Sequence, residues 1–239
     1  MEDIYKTITK TPVIILCGGK GERLKSVSGD MPKALVPIEG KPFINILLEH
    51  LSKQGFCHFI LCVGYQKSLI IDYFSESDYH ISFSVEERPL GTGGAVKKAI
   101  VENSLHTCLV MNGDSFCQTD FPNLFESHRT WKSILTMVLV RSRSSVDFGV
   151  VTLAYDNKIS GFNEKVDCQH DQYINAGIYL MNIDILKRMT DKEQFSLEYD
   201  LFPQMMNYDC FGFVSDGELI DIGTPERFKK AQKYFSINP

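Results

Sequence analysis

Val13 to Leu16 is a run of four apolar, mostly β-branched side chains, too short for a helix, and Cys17-Gly18-Gly19-Lys20-Gly21 follows it at once. A short buried strand running straight into a glycine loop constrains this chain more than any other stretch. Backbone N–H groups at such a strand end can come close to whatever binds there, which suits an anion. Arg23 and Lys33 add full positive charge, and Pro32 restricts the backbone just before Lys33. From Lys20 to Lys33 four basic residues (Lys20, Arg23, Lys25, Lys33) stand against two acidic ones (Glu22, Asp30), in a chain whose net charge is -5. The glycines alone would suit any βα turn; with two cations at fixed offsets they point to a phosphate-bearing ligand. The loop is not a P-loop, because GxxxxGK[ST] is absent, and GGKGER lacks the third glycine or alanine of the dinucleotide fingerprint.

The rest of the chain alternates strands and helices. Phe43, Ile46, Leu47 and Leu51 have helical spacing between Pro42 and Lys53, with Gly55 as a stop. Strands are expected at Cys57 to Val63, His80 to Val85, Thr107 to Met111 and Ile134 to Val140, and a short helix around Lys67 to Phe74. Asp147 to Ala154 with the turn Asp156-Asn157-Lys158 suggests a hairpin, and Ser196 to Met206 looks helical, its Glu198 and Asp200 having no evident task. This order predicts an α/β, Rossmann-like, mostly parallel sheet with helices on both faces, whose ligands gather beyond the carboxyl ends of the strands.

Three further stretches belong at that end. Glu86-Glu87-Arg88-Pro89-Leu90-Gly91-Thr92-Gly93-Gly94 leads into a helix from about Ala95 to Val101, and its three glycines would let backbone approach a flat ligand or a phosphate. Asn112-Gly113-Asp114-Ser115 puts a carboxylate at the tip of a central strand, where Mg²⁺ would meet phosphates from the neighbouring loop. Asp221-Ile222-Gly223-Thr224-Pro225 turns a strand into a helix, with Thr224 as cap and Pro225 at the first position.

A length of 239 residues allows one large domain. The acidic balance, without a basic stripe and interleaved aromatics, argues against a nucleic-acid surface. Seven cysteines scattered singly, with no CxxC, fit reduced thiols in a cytoplasmic protein better than disulfides or zinc. MEDIYKTITKTP has no signal-peptide core, and no apolar run approaches membrane-spanning length.

GGxGxRL followed by PK eight residues after the leucine closely resembles the sugar-phosphate nucleotidyltransferases, and PLGT, GD, EK, NAG and DIGTP come in that family's order along nearly the whole chain. The resemblance implies a single nucleotide-diphospho-sugar transferase domain over residues 1–239, with a nucleotide part over about 10–135, a sugar-phosphate part over about 136–239, and no appended β-helix. It implies that Leu16, Gly18, Gly19, Gly21, Glu86, Pro89, Gly91 and Thr92 bind the nucleotide, and that Arg23 and Lys33 are catalytic. Asp114 and Asp221 would hold Mg²⁺. Lys165 would meet the sugar phosphate, Glu164 a sugar hydroxyl, and Asn175 or Gly177 another polar edge. The implied partners are a nucleoside triphosphate and a sugar 1-phosphate, with no nucleic acid and no membrane; a homodimer is a further expectation.

A carboxylate can accept guanine N1–H and the N2 amino group together, whereas uracil and thymine present one N–H between two carbonyls. Glu86 therefore tilts the expected substrate towards GTP, with Glu87 as the competing residue. Among family branches the compact chain looks most like the bacterial heptose 1-phosphate guanylyltransferases, which supply GDP-heptose for surface polysaccharides. A mannose 1-phosphate guanylyltransferase or a pyrimidine-nucleotide enzyme is the near alternative. A nucleotide-sugar-dependent glycosyltransferase and a non-catalytic regulatory subunit are the rivals from other classes; the former more typically has Asp-x-Asp where this chain has Gly113-Asp114.

Overall fold

The structure is a computed structural model that describes residues 2–143, 147–164, 171–188 and 191–237. The chain opens with helix α1 (Glu2–Lys10), which the sequence reading above did not include. Ile4 and Ile8, one turn apart, bury the helix against the core. Strand β1 (Val13–Leu16) follows, then helix α2 (Phe43–Lys53), strand β2 (His58–Val63), helix α3 (Lys67–Tyr73) and strand β3 (His80–Val85). Helix α4 (Gly91–Glu102) starts four residues before the expected Ala95, so its glycines lie inside the first helical turn. Strand β4 (Thr107–Asn112) leads through Gly113-Asp114 to the three-residue strand β5 (Ser115–Cys117), then helix α5 (Phe121–Thr130).

The second half supplies β6 (Leu135–Ser142), the expected hairpin of β7 (Gly149–Leu153) and β8 (Ile159–Glu164), the long β9 (Gln172–Asn182), β10 (Cys210–Ser215), β11 (Leu219–Asp221) and helix α6 (Pro225–Ile237). Leu197–Leu201 is a π-helical turn and Phe202–Asn207 a 3₁₀ segment where an ordinary helix was expected. The Ser196 hydroxyl accepts from the N–H groups of Glu198 and Tyr199, and Pro203 withholds an N–H from the ladder.

Nine strands form one mixed sheet. Its N-terminal part, β3-β2-β1-β4, is wholly parallel, with Val13 opposite both Phe59 and Leu109. Strand β9 runs antiparallel to β4, from Ile178 opposite Met111 to Asn182 opposite Thr107. The same edge of β9 takes β7 at Tyr173 and Ile174, while its other edge carries β6, and β10 closes the sheet parallel to β6. Strands buried on both faces read as continuous apolar runs, as β1 does. Val13 and Ile15 face one core layer with α1, α2, α5 and α6, and Ile14 faces the other with α4 and the 197–205 segment.

A separate two-stranded ladder pairs β11 with β5, setting Asp221 opposite Ser115 and Ile220 opposite Phe116. These strands are too short to show a period, so only the folded chain brings the 221 turn to the tip of β4.

His128 of α5 is half of a buried polar pair, its Nδ1 lying 2.8 Å from Thr136 Oγ1. Burial pushes its imidazole down to about 4. In the unfolded chain the same group titrates near 6.5, so between those values the unfolded state binds the proton and the folded state does not. Stability from this site is full above pH 6.5 and is lost as pH falls towards 4, in total about 3 kcal/mol. The midpoint of thermal unfolding should drop between pH 7 and pH 5, and His128→Asn, which keeps a partner for Thr136 but cannot titrate, should flatten that slope.

Candidate active site

Beyond the carboxyl ends of β1 and β4 lies a cleft of about 410 Å³. Leu16, Gly19, Gly21, Arg23, Lys33 and Asp114 line it together, so the glycine loop, the Pro32-Lys33 turn and the β4 tip expected from the sequence converge. Two glycines make that convergence possible. Gly21 has φ +61°, and a Cβ on it would press on the Lys33 side chain at 3.3 Å. A Cβ on Gly113 would sit 2.6 Å from the Leu16 carbonyl oxygen, so only glycine lets the end of β4 lie this close to the end of β1. Burial, and then the charge of Asp114, push the Cys17 thiol up to about 12, which leaves it protonated and unreactive.

The Lys33 ammonium, 13 % exposed, donates to Asp114 Oδ2 at 2.5 Å. Burial pushes the Asp114 carboxyl up, but the charge and hydrogen bond of Lys33, with help from Ser115 and Arg23, carry it below the ordinary carboxylate range. Asp221 is 11 % exposed, and its Oδ1 accepts from the Gly223 N–H at 2.8 Å and from Arg227 Nη1 at 3.0 Å. The two remaining carboxylate oxygens share one neighbour: Ser115 Oγ lies 3.1 Å from Asp114 Oδ1 and 3.5 Å from Asp221 Oδ2. A side chain on Gly223 would lie between the Asp221 carboxylate and the Lys33 ammonium.

This donor set fits Mg²⁺, which takes one or two carboxylates and completes its shell with water and phosphate oxygens. Among the described residues, no cluster of three His, Cys, Asp or Glu side chains forms an all-protein cage.

Arg227 and Asp147 escaped the sequence reading. Arg227 stands on the first turn of α6, two residues after Pro225, and its guanidinium covers the Phe148 ring at 4.3 Å. Asp147 Oδ2 accepts from Arg23 Nη1 at 3.0 Å and lies 3.6 Å from Arg227 Nη2. A chain of alternating charge thus runs Arg23–Asp147–Arg227–Asp221. The only linear signal was a basic residue one turn beyond DIGTP, a position more often a solvated helix face.

Beyond the end of β3, Glu86 and Glu87 separate. Glu87 is exposed and paired with Lys67 at 2.8 Å. Glu86 turns inward: its Oε2 accepts from the Leu90 N–H at 2.9 Å, and its Oε1 would be 2.6 Å from a Cβ on Gly18. Burial raises its pKa, against the pull of the Leu90 N–H and Lys98. Pro89 lies exposed at the rim.

The glycines after Pro89 have a different use from the one expected. Gly91, at φ +72°, and Gly93 face Phe195, and Gly93 N–H donates to the Phe195 carbonyl at 3.0 Å. A Cβ on Gly94 would meet the Glu193 carbonyl. Thr92 Oγ1 donates to Glu198 Oε2 at 2.6 Å and accepts from the Leu197 N–H at 2.9 Å. These small residues therefore admit a crossing protein segment, and the expected open approach to a ligand at Gly93 and Gly94 is corrected. Glu198 and Asp200 gain a role here, since Asp200 accepts from the Ser196 N–H at 2.7 Å.

On β9, Asn175 braces the irregular register of the strand. Its Oδ1 accepts from the Gly177 N–H at 2.9 Å and its Nδ2 donates to Tyr179 Oη at 2.8 Å. Gly177 has φ +73° and packs against the Asn112 side chain next to Asp114. Glu164 ends β8 against Gly149, and Lys165 lies outside the described residues.

The family profile described as nucleotidyl transferase matches residues 12–236, the span that carries every element of this site. The chain belongs to the nucleotidyl transferase family. It is 38 % identical over 224 residues to a D-glycero-alpha-D-manno-heptose 1-phosphate guanylyltransferase of Aneurinibacillus thermoaerophilus, covering 92 % of this chain and 96 % of that one. It is 31 % identical to a mannose-1-phosphate guanylyltransferase of Mycobacterium tuberculosis, covering 90 % of this chain but 62 % of the relative. The crystal structure of HddC from Yersinia pseudotuberculosis complexed with GMP-PN superposes with a TM-score of 0.83 at 35 % identity, over 94 % of this chain and 99 % of that one. The α/β nucleotidyl transferase fold and the family membership expected from the sequence are therefore borne out.

Proposed function

We propose that this nucleotidyl transferase joins GTP to D-glycero-α-D-manno-heptose 1-phosphate, giving GDP-heptose and pyrophosphate. The observation that carries the reaction is the convergence of the glycine loop, two cations and two carboxylates on one cleft. The guanine and heptose assignments draw support from relatives matched over nearly their whole length.

An oxygen of the sugar phosphate attacks the α-phosphorus in line. The new P–O bond forms as the bond to the bridging oxygen breaks, and pyrophosphate leaves with that electron pair. The nucleophile is already an anion near neutral pH, so no general base is required. Positioning and charge neutralisation carry the catalysis. Backbone N–H groups of the Gly18–Gly21 loop cradle the triphosphate, and Arg23 and Lys33 take up charge growing on the leaving group. Asp114 and Asp221 would hold Mg²⁺, which when bound supplies Lewis-acid stabilisation of phosphate oxygens. Lys165 aligns the attacking phosphate, and Glu164 meets a sugar hydroxyl. Asn175, whose amide braces β9, acts by shaping that subsite.

Glu86 is the group proposed to read guanine. It is the inward carboxylate of the pair, and a wrong base would leave it partly buried without its donors. The test is competitive turnover of GTP, CTP, UTP and dTTP with heptose 1-phosphate and mannose 1-phosphate, repeated with Glu86→Gln. GTP should dominate in the native enzyme and lose most of its advantage in the variant. A pyrimidine preference, or a GTP preference indifferent to Glu86, overturns the base assignment. Mannose 1-phosphate is the second reading, favoured by the Mycobacterium tuberculosis relative, and a clear preference for mannose 1-phosphate over heptose 1-phosphate would select it. Pyrophosphate release without an acceptor excludes a glycosyltransferase, and any turnover excludes a purely regulatory subunit. The six described cysteines are all free thiols, in keeping with work in a reducing cytoplasm, and no helix among the described residues is long and apolar enough to cross a membrane. The homodimer expected from the family resemblance is read out by sedimentation.

A further inference from the structure

Asp147 has no part in the reaction as derived, yet it touches the catalytic arm. Its carboxylate holds Arg23 at 3.0 Å and stands 3.6 Å from Arg227. Its backbone has φ +67°, a region uncommon for residues other than glycine and best tolerated by asparagine and aspartate. The next residue, Phe148, lies under the Arg227 guanidinium, which fixes Asp147 at the edge of the cleft. The two arginines differ in exposure. Arg227 is 18 % exposed and is tied to Asp221, whereas Arg23 is 55 % exposed and reaches Asp147 from the cleft-lining loop.

We propose that Asp147 is an exchange anion for the polyphosphate arm: it holds Arg23 at the cleft while no polyphosphate is bound, yields it to the incoming triphosphate, and competes for it again as pyrophosphate leaves. This rests on the reading of Arg23 as a pyrophosphate-binding arm. An ion pair as exposed as Arg23–Asp147 is weak, and a polyphosphate brings several negative charges against the single one of Asp147. When Arg23 departs, Asp147 keeps Arg227 beside it, so its own charge is not stranded. Asp147 is in this sense a positioning residue, acting through Arg23 and never on the α-phosphorus.

The experiment is pyrophosphate binding measured by calorimetry without divalent metal, together with product inhibition by pyrophosphate in the forward reaction. Asp147→Asn keeps the shape, tolerates the left-handed backbone and removes only the charge. It should tighten pyrophosphate binding and lower its inhibition constant, each roughly three- to fivefold, with the difference shrinking at high salt. Asp147→Gly, also suited to that backbone, should act in the same direction. Arg23→Ala should weaken pyrophosphate binding, and in that background Asp147→Asn should change it less than about twofold. Unchanged or weaker binding in both Asp147 variants, with Arg23→Ala still weakened, overturns the exchange role and leaves Arg23's own role standing. Unaltered binding in Arg23→Ala removes the arm itself and the exchange role with it.

Discussion

Asp221→Asn should lower kcat by about two to three orders of magnitude while leaving the folded protein close to native stability. The carboxylate is nearly buried and already has the Gly223 N–H and Arg227 as partners, which an amide oxygen can keep, so the fold loses little. What the amide cannot supply is the second negative oxygen beside Ser115, where Asp114 and Asp221 face a common neighbour. A triphosphate brought next to those carboxylates without a cation would meet repulsion at close range. Asp114→Asn should cost at least as much turnover and also some stability, because it leaves the buried Lys33 ammonium without its counter-charge. Steady-state rates across Mg²⁺ concentrations, alongside thermal unfolding of each variant, separate the two effects. Full activity of the native protein in excess chelator would remove the metal from the mechanism.

Lys33→Ala and Arg23→Ala form the second large effect. In the roles proposed for them, both cations act on charge that is greater in the transition state than in the bound substrate, so kcat should fall more than KM for GTP rises. A loss of about 10²- to 10³-fold is expected for Lys33, comparable to removing one preorganised donor to a developing anion. Arg23 is more exposed and should cost less. Lys165→Ala should differ in kind by raising KM for the sugar phosphate. Wild-type kcat in both cation variants would reduce the glycine loop to scaffolding.

Much of this could be seen in the linear chain, and for one reason: the N-terminal, parallel part of the sheet is built from local units. A strand, a glycine turn and a cation within about twenty residues announce themselves, and Leu16, Gly19, Gly21, Arg23, Lys33 and Asp114 do line one cleft. The rest depended on contacts between distant stretches. Arg227 and Asp147 meet only because the Asp147-Phe148 turn ahead of β7 lies against the first turn of α6, and neither is marked by a motif. The β5–β11 ladder is three residues long, below any readable period. Helix α1 was legible in principle from Ile4 and Ile8, but two apolar positions in a polar terminus are a faint signal. The glycines after Pro89 were read as sites where a ligand comes close, whereas what approaches Gly91, Gly93 and Gly94 is the chain itself, a hundred residues further on.

That last contact bears on how such enzymes can change substrate. Phe195 and the Ser196–Glu198 knot, a hundred residues away in the chain, are keyed into the turn that follows Glu86. A graft that moved Glu86 to Gly94 from a relative with another base preference would bring a lock without its key. With Glu86 as the proposed base reader, the 193–198 segment would have to travel with it, and base selectivity would pass on as a two-part cassette from distant stretches of the chain.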